Sequence, residues 1–398
     1  MKSKFIVYLV SFAAFLAPFT QSIYAPMIPE VTNDFHTSAF WVNLTISIFT
    51  AFLALMQIIY GPLTDTKGRR SVMLFGIVFY VLATIGCYFS NSIYVLLFFR
   101  ALQAIGIATG SVVAVTVISD LFEGENRGKA MGTFQMMVSL GPVVGPVVGG
   151  FLGGMFGFHS VFLALVIVGL IVFLLNLTFL KETKPEKGFA NSFKPRDFIT
   201  ILKDRIGSSI ILLGFIQYYA FYNFLVFMPG ILSERYGLTA EQKGLVFLPL
   251  SLCIVIGSFL GGRAQGRFEG RKFVVLTSYL NVLAILLFTV VSHISLLLLI
   301  GSSVLFGLFL GLSLPVQTTL LTQAFQKNRA TAIGVYNFVR FMGMALGPIF
   351  GSLLLQIGGY YLIYGFIVAV FLGCSSVLHK RLLHATNTMA NYNQGISS

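Results

Sequence analysis

Arg100 and Arg340 stand well inside apolar stretches of the chain. A guanidinium offers a fixed fork of donors that binds carboxylate or phosphate bidentately. Burying one at the centre of an apolar helix costs roughly 2.5–3.5 kcal/mol on insertion scales, so it is retained for a partner or a pathway. All 13 acidic residues fall at or beyond the ends of the apolar stretches. Glu30, Asp34, Glu234 and Glu241 fall at one set of ends and the other nine at the opposite set. A cavity with two guanidinium groups and no mid-span acid favours an anionic or zwitterionic amphiphile. Examples are a carboxylate-bearing metabolite or a siderophore-like metal chelator. Arg340 is the stronger substrate-binding candidate, and Arg100 is the second. Tyr218, Tyr219, Tyr222 and Asn223, beside Gln217, are spaced by three and four and share one broad helix face. Hydroxyls and amides avoid lipid, so this face is expected to line the cavity. Gln21, Tyr24, Gln57, Tyr336 and Asn337 are weaker candidates of the same kind.

The elements that carry these residues follow from composition. The chain has 398 residues, 10% of them charged, and a mean hydropathy of +0.89. Spanning the hydrocarbon takes roughly 20 apolar residues. Twelve such stretches can be marked: 5–28, 40–62, 71–90, 93–118, 129–154, 158–180, 207–232, 241–265, 272–292, 294–323, 329–356 and 359–379. Assigning the connections alternately to two faces puts all but four of the 26 Lys and Arg on the face with both termini. Arg235 and Lys243 fall on the other face, and Arg100 and Arg340 within spans. Loops rich in Lys and Arg resist translocation, so that face is read as cytoplasmic. The net charge of +13 is thereby explained without nucleic acid. The first stretch follows Lys2 and Lys4, lacks a small-residue cleavage site and precedes eleven similar ones, so it reads as a span rather than a signal peptide. The expectation is an all-α polytopic protein of twelve transmembrane helices in the bacterial inner membrane, in contact with lipid and monomeric.

Little room remains for a soluble catalytic domain. Cys87, Cys253 and Cys374 lie in apolar stretches without metal-ligand spacing. The five histidines sit at span ends or outside the spans. No phosphate-binding glycine loop is present. The chain is therefore not expected to be an enzyme or to need a metal or cofactor.

An internal repeat divides the chain. Asn126 through Gly149 lies on Asn328 through Gly351 without a gap: Arg127 meets Arg329, Gly141 meets Gly343, Gly145-Pro146 meets Gly347-Pro348, and Gly149 meets Gly351. Arg340 falls opposite Val138. The organisation read from this is a six-helix bundle over 1–180, a basic cytoplasmic linker 181–206, a second bundle 207–379 and a tail 380–398. Parallel six-span repeats are a known transporter architecture with a site near the membrane midplane.

The motifs sharpen this. After the second span comes Gly61-Pro-Leu-Thr-Asp65-Thr-Lys-Gly68-Arg69-Arg70. The fourth span holds Arg100-Ala-Leu-Gln103-Ala-Ile-Gly106, followed by Asp120-Leu-Phe through Glu125-Asn-Arg127. The fifth carries Gly141-Pro-Val-Val-Gly145-Pro146-Val-Val-Gly149-Gly150, and the sixth ends at Lys181-Glu182-Thr183. Together these resemble the major facilitator superfamily, in its twelve-helix drug:proton antiporter branch. Phe19 through Pro29 is similar to the Bcr/CflA type of exporter, which carries Asp where this chain has Ser22. The branch usually has Arg at Thr66 and Gly at Ala104.

The resemblance implies two pseudo-symmetric bundles that alternate access. It implies a cytoplasmic latch of Asp65, Gly68, Arg69, Arg70, Asp120 and Arg127 that stabilises the outward-open state. It implies an antiporter motif at Gly141, Gly145, Pro146, Gly149 and Gly150, associated with export, and protons as the coupling ion. With no mid-span acid, Glu30, Asp65 and Asp120 are the candidates for proton coupling. The functional expectation is a proton-coupled exporter of an anionic or zwitterionic small molecule. The alternatives are a multidrug antiporter for neutral or cationic compounds and, in another class, a channel or non-transporting receptor.

Overall fold

The computed structural model describes residues 2–122, 124–184, 195–265, 267–325 and 329–383. Among these every regular element is a helix. In hydrocarbon each backbone N–H and C=O must be satisfied within the segment, which leaves an apolar stretch of this length the helix and little else. The order is α1 (Lys2–Ser22), a 3-10 turn at Ala25–Met27, α2 (Ile28–Asp34), α3 (Ala39–Lys67), α4 (Arg69–Tyr88), α5 (Ile93–Leu121), α6 (Gly124–Phe156), α7 (His159–Phe179), α8 (Pro195–Lys203), α9 (Arg205–Tyr236), α10 (Ala240–Ala264), α11 (Gly270–Val291), α12 (Leu296–Ala324) and α13 (Arg329–Leu382).

Eleven segments are long and apolar enough to cross a membrane. The last holds 52 residues, which at 1.5 Å per residue far exceeds a hydrocarbon core of ~30 Å. It breaks at Gly358 and Gly359, where Gly359 has φ 67°. Two spans therefore lie within α13, and the twelve expected crossings are present among the described residues. The first expected span, 5–28, is not continuous. Pro26 and Pro29 remove backbone donors just where a helix would need them, so α1 stops at Ser22 and a short α2 follows.

Local chemistry sets several other ends. Asp204 Oδ1 accepts from the backbone N–H of Ile206 at 2.9 Å and Gly207 at 2.7 Å, starting α9. Thr239 and Gln242 exchange side-chain and backbone hydrogen bonds ahead of α10, a capping box.

The helices divide into two compact units. One comprises Met1–Ser192 with Leu225–Leu248, so the end of α9 and the start of α10 group with the N-terminal helices. Its core is α4 and α3 against α5, and α1 against α5 and α6. The other comprises Phe193–Phe224 with Pro249–Ser398. Here α11 packs on α12 and α13. Phe224 sits at its centre, with ring centroids 4.6 Å from Phe288, 4.7 Å from Phe306 and 5.2 Å from Tyr364.

Candidate functional site

In the first unit the turn between α3 and α4 is a single residue, Gly68, with φ 93°. Only glycine takes that conformation without strain. A side-chain carbon at Gly68 would also come within 2.5 Å of Glu182 Oε2. Glu182 occupies that space because it caps α4: Oε1 accepts from Arg69 N at 2.8 Å and Oε2 from Arg70 N at 3.2 Å. A carboxylate at a helix N-terminus meets both free donors and the positive end of the dipole. Burial pushes the Glu182 carboxyl up, but the backbone N–H groups of Arg69, Lys184, Arg70 and Thr183 outweigh it and hold it below the ordinary carboxylate range.

Arg69 is buried beneath this cap. Its Nε lies 2.9 Å from Asp120 Oδ2, its Nη2 3.3 Å from Asp65 Oδ1, and its Nη1 donates to Thr64 O at 3.2 Å. Thr183 Oγ1 donates to the same Asp120 oxygen at 3.0 Å. Arg70 Nη2 donates to Leu177 O at 2.9 Å. The structure thus brings Asp65, Gly68, Arg69, Arg70 and Asp120 together. Arg127 lies in a stretch whose side chains fall outside the described residues.

Helix α6 carries the Gly-Pro run against α1. A side-chain carbon at Gly141 would lie 2.8 Å from Phe19 N, one at Gly145 would overlap Ser22 Oγ, and one at Gly149 would overlap Ile23 O. Gly150 turns towards α10, its added carbon 2.5 Å from Ala240 O. Pro146 O stands 2.5 Å from where a carbon on Gly244 would sit. Ser22 Oγ is 3.0 Å from Gly141 O, so the serine at the position of the exporter-type Asp is bonded to the motif itself.

Arg100 is fully buried in α5. Its Nη1 donates to Gln103 Oε1 at 2.6 Å, and Gln103 Nε2 donates to Thr84 Oγ1 at 2.9 Å. Its guanidinium lies 4.3 Å from the Phe49 ring centroid and 5.6 Å from that of Tyr24. Such cation–π contacts strengthen when desolvated. Gln21 is bonded to Thr50 and Gln57 to Ser111.

The second unit holds Arg340. Its guanidinium lies 4.6 Å from the Tyr218 ring centroid, 5.5 Å from Phe341 and 5.6 Å from Tyr336. Arg340 Nε is buried with no hydrogen-bond partner among the described residues. Tyr218 turns its ring towards this group. Tyr219 and Asn223 occupy the adjoining face, where Gly347 of α13 comes close to Tyr219 O and Asn223 Nδ2. Asn223 Nδ2 donates to Tyr219 O at 2.8 Å. The broad face read from the spacing is thus two faces, one towards the arginine and one packed on a helix. Asn337 is half-buried.

Sequence reasoning placed Lys243 with the few basic residues of the charge-poor face. The structure buries it completely, with Nζ 2.5 Å from Glu30 Oε1 and 3.0 Å from Ser233 Oγ. Glu30 Oε2 is buried without a hydrogen-bond partner. The usable signal was the lysine itself, retained on a face otherwise almost stripped of positive charge. The polar group of Gln217, Ser313 and Gln317 was also missed in part, since a lone Gln or Ser in an apolar span carries no periodic signature.

The comparisons with known proteins agree with this architecture. The Major Facilitator Superfamily model matches the chain twice, over residues 10–209 and 210–389. The MFS-type transporter YdgK of Bacillus subtilis is 28% identical over 357 residues, 87% of this chain and 88% of that protein. Multidrug resistance protein 3 of the same organism is 24% identical, covering 88% of this chain and 79% of its own. A bacterial homolog of the human lysosomal transporter Spinster, in an inward-facing and occupied conformation, has the same fold. Its TM-score is 0.76 over 98% of this chain and 96% of that one, at 19% identity. These relatives are transporters, not enzymes. With both halves matched and the helices long enough to cross a bilayer, the chain belongs to the Major Facilitator Superfamily and is a multi-pass membrane transporter.

Proposed function

We propose that this transporter exports an anionic or zwitterionic amphiphile in exchange for protons, by alternating access. The observation that carries the reading is Arg340. Three rings frame its guanidinium, yet Nε is buried without a partner. A buried charged donor left unmatched is expensive, and a carboxylate of the cargo would satisfy it. A carboxylate-bearing metabolite or a metal chelator fits that chemistry. Tyr218 and Tyr222 would supply ring faces and hydroxyls to the same cargo. Arg100, Tyr24, Gln21, Asn223 and Asn337 complete the proposed set.

The halves are 1–180 and 207–379, joined by the linker 181–206, with 380–398 as a tail and both ends on the cytoplasmic face of a bacterial inner membrane. Export rather than uptake is supported by the glycine-proline run of α6. Glu30 is the favoured proton site. Its carboxylate faces a buried lysine, whereas Asp65 and Asp120 are both committed to Arg69. Protonating Glu30 would discharge its pairing with Lys243 and so link proton occupancy to conformation.

The test is comparative mass spectrometry of spent medium from a strain lacking the protein and the same strain restored. The reading expects a carboxylate or chelator that disappears outside and accumulates inside without the protein. If no anion changes, it is overturned. A second reading, efflux of neutral or cationic drugs, is favoured by the likeness to Multidrug resistance protein 3. Saturable, proton-dependent efflux of cationic dyes from everted vesicles would establish it instead.

A further inference from the structure

The junction of α8, α9 and α13 carries a group of basic residues that the export reading does not use. Helix α8 does not run on into α9. The chain turns at Asp204, whose Oδ1 caps α9. Helix α8 then folds back so closely that Ile201 O stands 2.4 Å from where a side-chain carbon on Gly207 would sit. It also packs on α13. Ile201 is buried, but Ile199 and Leu202 are 52% and 38% exposed. Lying three residues apart, they form one apolar edge of the helix. Both α9 and α13 are long and apolar enough to cross a bilayer, one starting at Arg205 and the other ending at Leu382. The junction of these two ends therefore stands at the level of lipid headgroups.

Two arginines tie the ends together. Arg205 Nη2 donates to Lys380 O at 3.2 Å, and Arg381 Nη1 donates to Ser208 Oγ at 2.9 Å. Each helix lends an arginine to a neutral acceptor on the other, so both guanidinium groups come to one place. Lys203 and Lys380 are exposed next to them in the chain. Among the described residues no carboxylate pairs with either arginine, and Asp204 is committed to the cap of α9. A bond to a neutral oxygen fixes a guanidinium without balancing its charge, and the fork has five N–H donors to offer.

We infer that this junction docks the headgroup of an anionic phospholipid. Arg205 and Arg381 grip the phosphate through their forks. Lys203 and Lys380 add charge, and Ile199 and Leu202 enter the acyl boundary beside it. The apolar edge selects a lipid over a soluble phosphate. Basic residues beside exposed aliphatic ones, on a short helix at the end of a span, are the chemistry of an interfacial helix on an anionic leaflet. A lipid held there would brace the start of α9 against the end of α13. The inference needs neither a cargo nor a direction of transport, so it stands or falls apart from the export reading.

Native mass spectrometry of the full-length protein, titrated in detergent with phosphatidylglycerol or with phosphatidylcholine, reads this docking. Arg205→Gln with Arg381→Gln should weaken the tightest phosphatidylglycerol step about fivefold per arginine and about 25-fold together, the increment of one basic residue at an anionic surface. Ile199→Gln with Leu202→Gln should weaken the same step with no change of charge. Arg267→Gln with Lys272→Gln removes equal charge from the connection between α10 and α11 and should leave that step unchanged. If the arginine variant does not fold, Lys380→Gln keeps both braces and should still weaken binding about fivefold. Unchanged binding in the junction variants, an equal loss in the α10–α11 variant, or phosphatidylcholine bound as tightly overturns the inference. Glycerol phosphate, the headgroup without acyl chains, should bind far more weakly than the lipid. Equal affinity would mark a soluble-phosphate site and overturn the docking of lipid.

Discussion

Replacing Glu30 by Met while keeping Lys243 should destabilise the protein far more than replacing both. Lys243 has no exposed surface, whereas the Glu30 side chain is 33% exposed. Breaking a buried pair by removing one partner costs about 3–5 kcal/mol, because the remaining charge is left unmatched. The ammonium that Glu30→Met strands has no exposed surface, so that variant should cost about 3 kcal/mol. Lys243→Met should cost less, since the Glu30 side chain it strands is one-third exposed. The double variant places two apolar side chains of similar length in contact and should be close to wild type. Thermal unfolding of the four purified proteins forms a double-mutant cycle. At roughly 2 °C or less per kcal/mol for a chain larger than ~250 residues, Glu30→Met should lower the midpoint by up to about 6 °C. The double variant should recover most of that loss. If the double variant falls by the sum of the two single losses, the ion pair is not a coupled buried unit, and Glu30 has no claim as the proton site.

Arg340→Ala should abolish export of the cargo identified in spent medium while leaving membrane insertion and yield unchanged, the latter checked by immunodetection in membranes. Gly149→Leu forces a side chain onto Ile23 O and should cost about 1–3 kcal/mol as overpacking, seen as a lower thermal midpoint. Gly132→Leu, with open space around the glycine, should not lower it comparably. Glu182→Gln should weaken the cap of α4 by about 0.3–1 kcal/mol at neutral pH. Because its folded-state pKa is lowered, that contribution is fully present above the unfolded carboxylate value of ~4.3. It fades as pH falls through the folded value. The thermal gap between wild type and Glu182→Gln should therefore hold from pH 8 to about pH 5 and shrink as the pH falls below about 4, and a gap that did not shrink there would contradict the capping role.

Much of this architecture was legible because lipid is a demanding solvent. Apolar length gives the spans, and the repeat from Asn126 to Gly149 announces the second half. The Asp65–Arg70 stretch was legible as a tight basic turn, which Gly68 makes with its positive φ. Its hydrogen-bonded centre was less visible. Glu182 lies more than a hundred residues from Arg69 and Arg70, and nothing local marks it as their cap. The break after Ser22 was implicit in Pro26 and Pro29 but was masked by unbroken hydropathy. The Tyr218–Asn223 cluster shows the limit of periodicity. Spacing places four residues on one side of a helix, but only packing decides that Asn223 faces Gly347 while Tyr218 faces Arg340. The burial of Lys243 was not legible for a similar reason: its partner Glu30 is more than two hundred residues away.

The break at Gly358 and Gly359 bears on how the chain enters its bilayer during synthesis. From Phe341 to His379 the sequence contains no Asp, Glu, Lys or Arg, and only two glycines separate the final pair of spans. There is no loop large enough to thread through a translocation channel as a separate event. The two helices should therefore leave the channel together, as one hairpin whose tip carries no charge to drag across. Its orientation is left to its feet. In the sequence, Lys327 and Arg329 precede the pair and Lys380 and Arg381 follow it, and basic residues at both ends favour keeping those ends on the same side. Insertion of the last two spans should thus be a single step, anchored by the four basic residues at its ends.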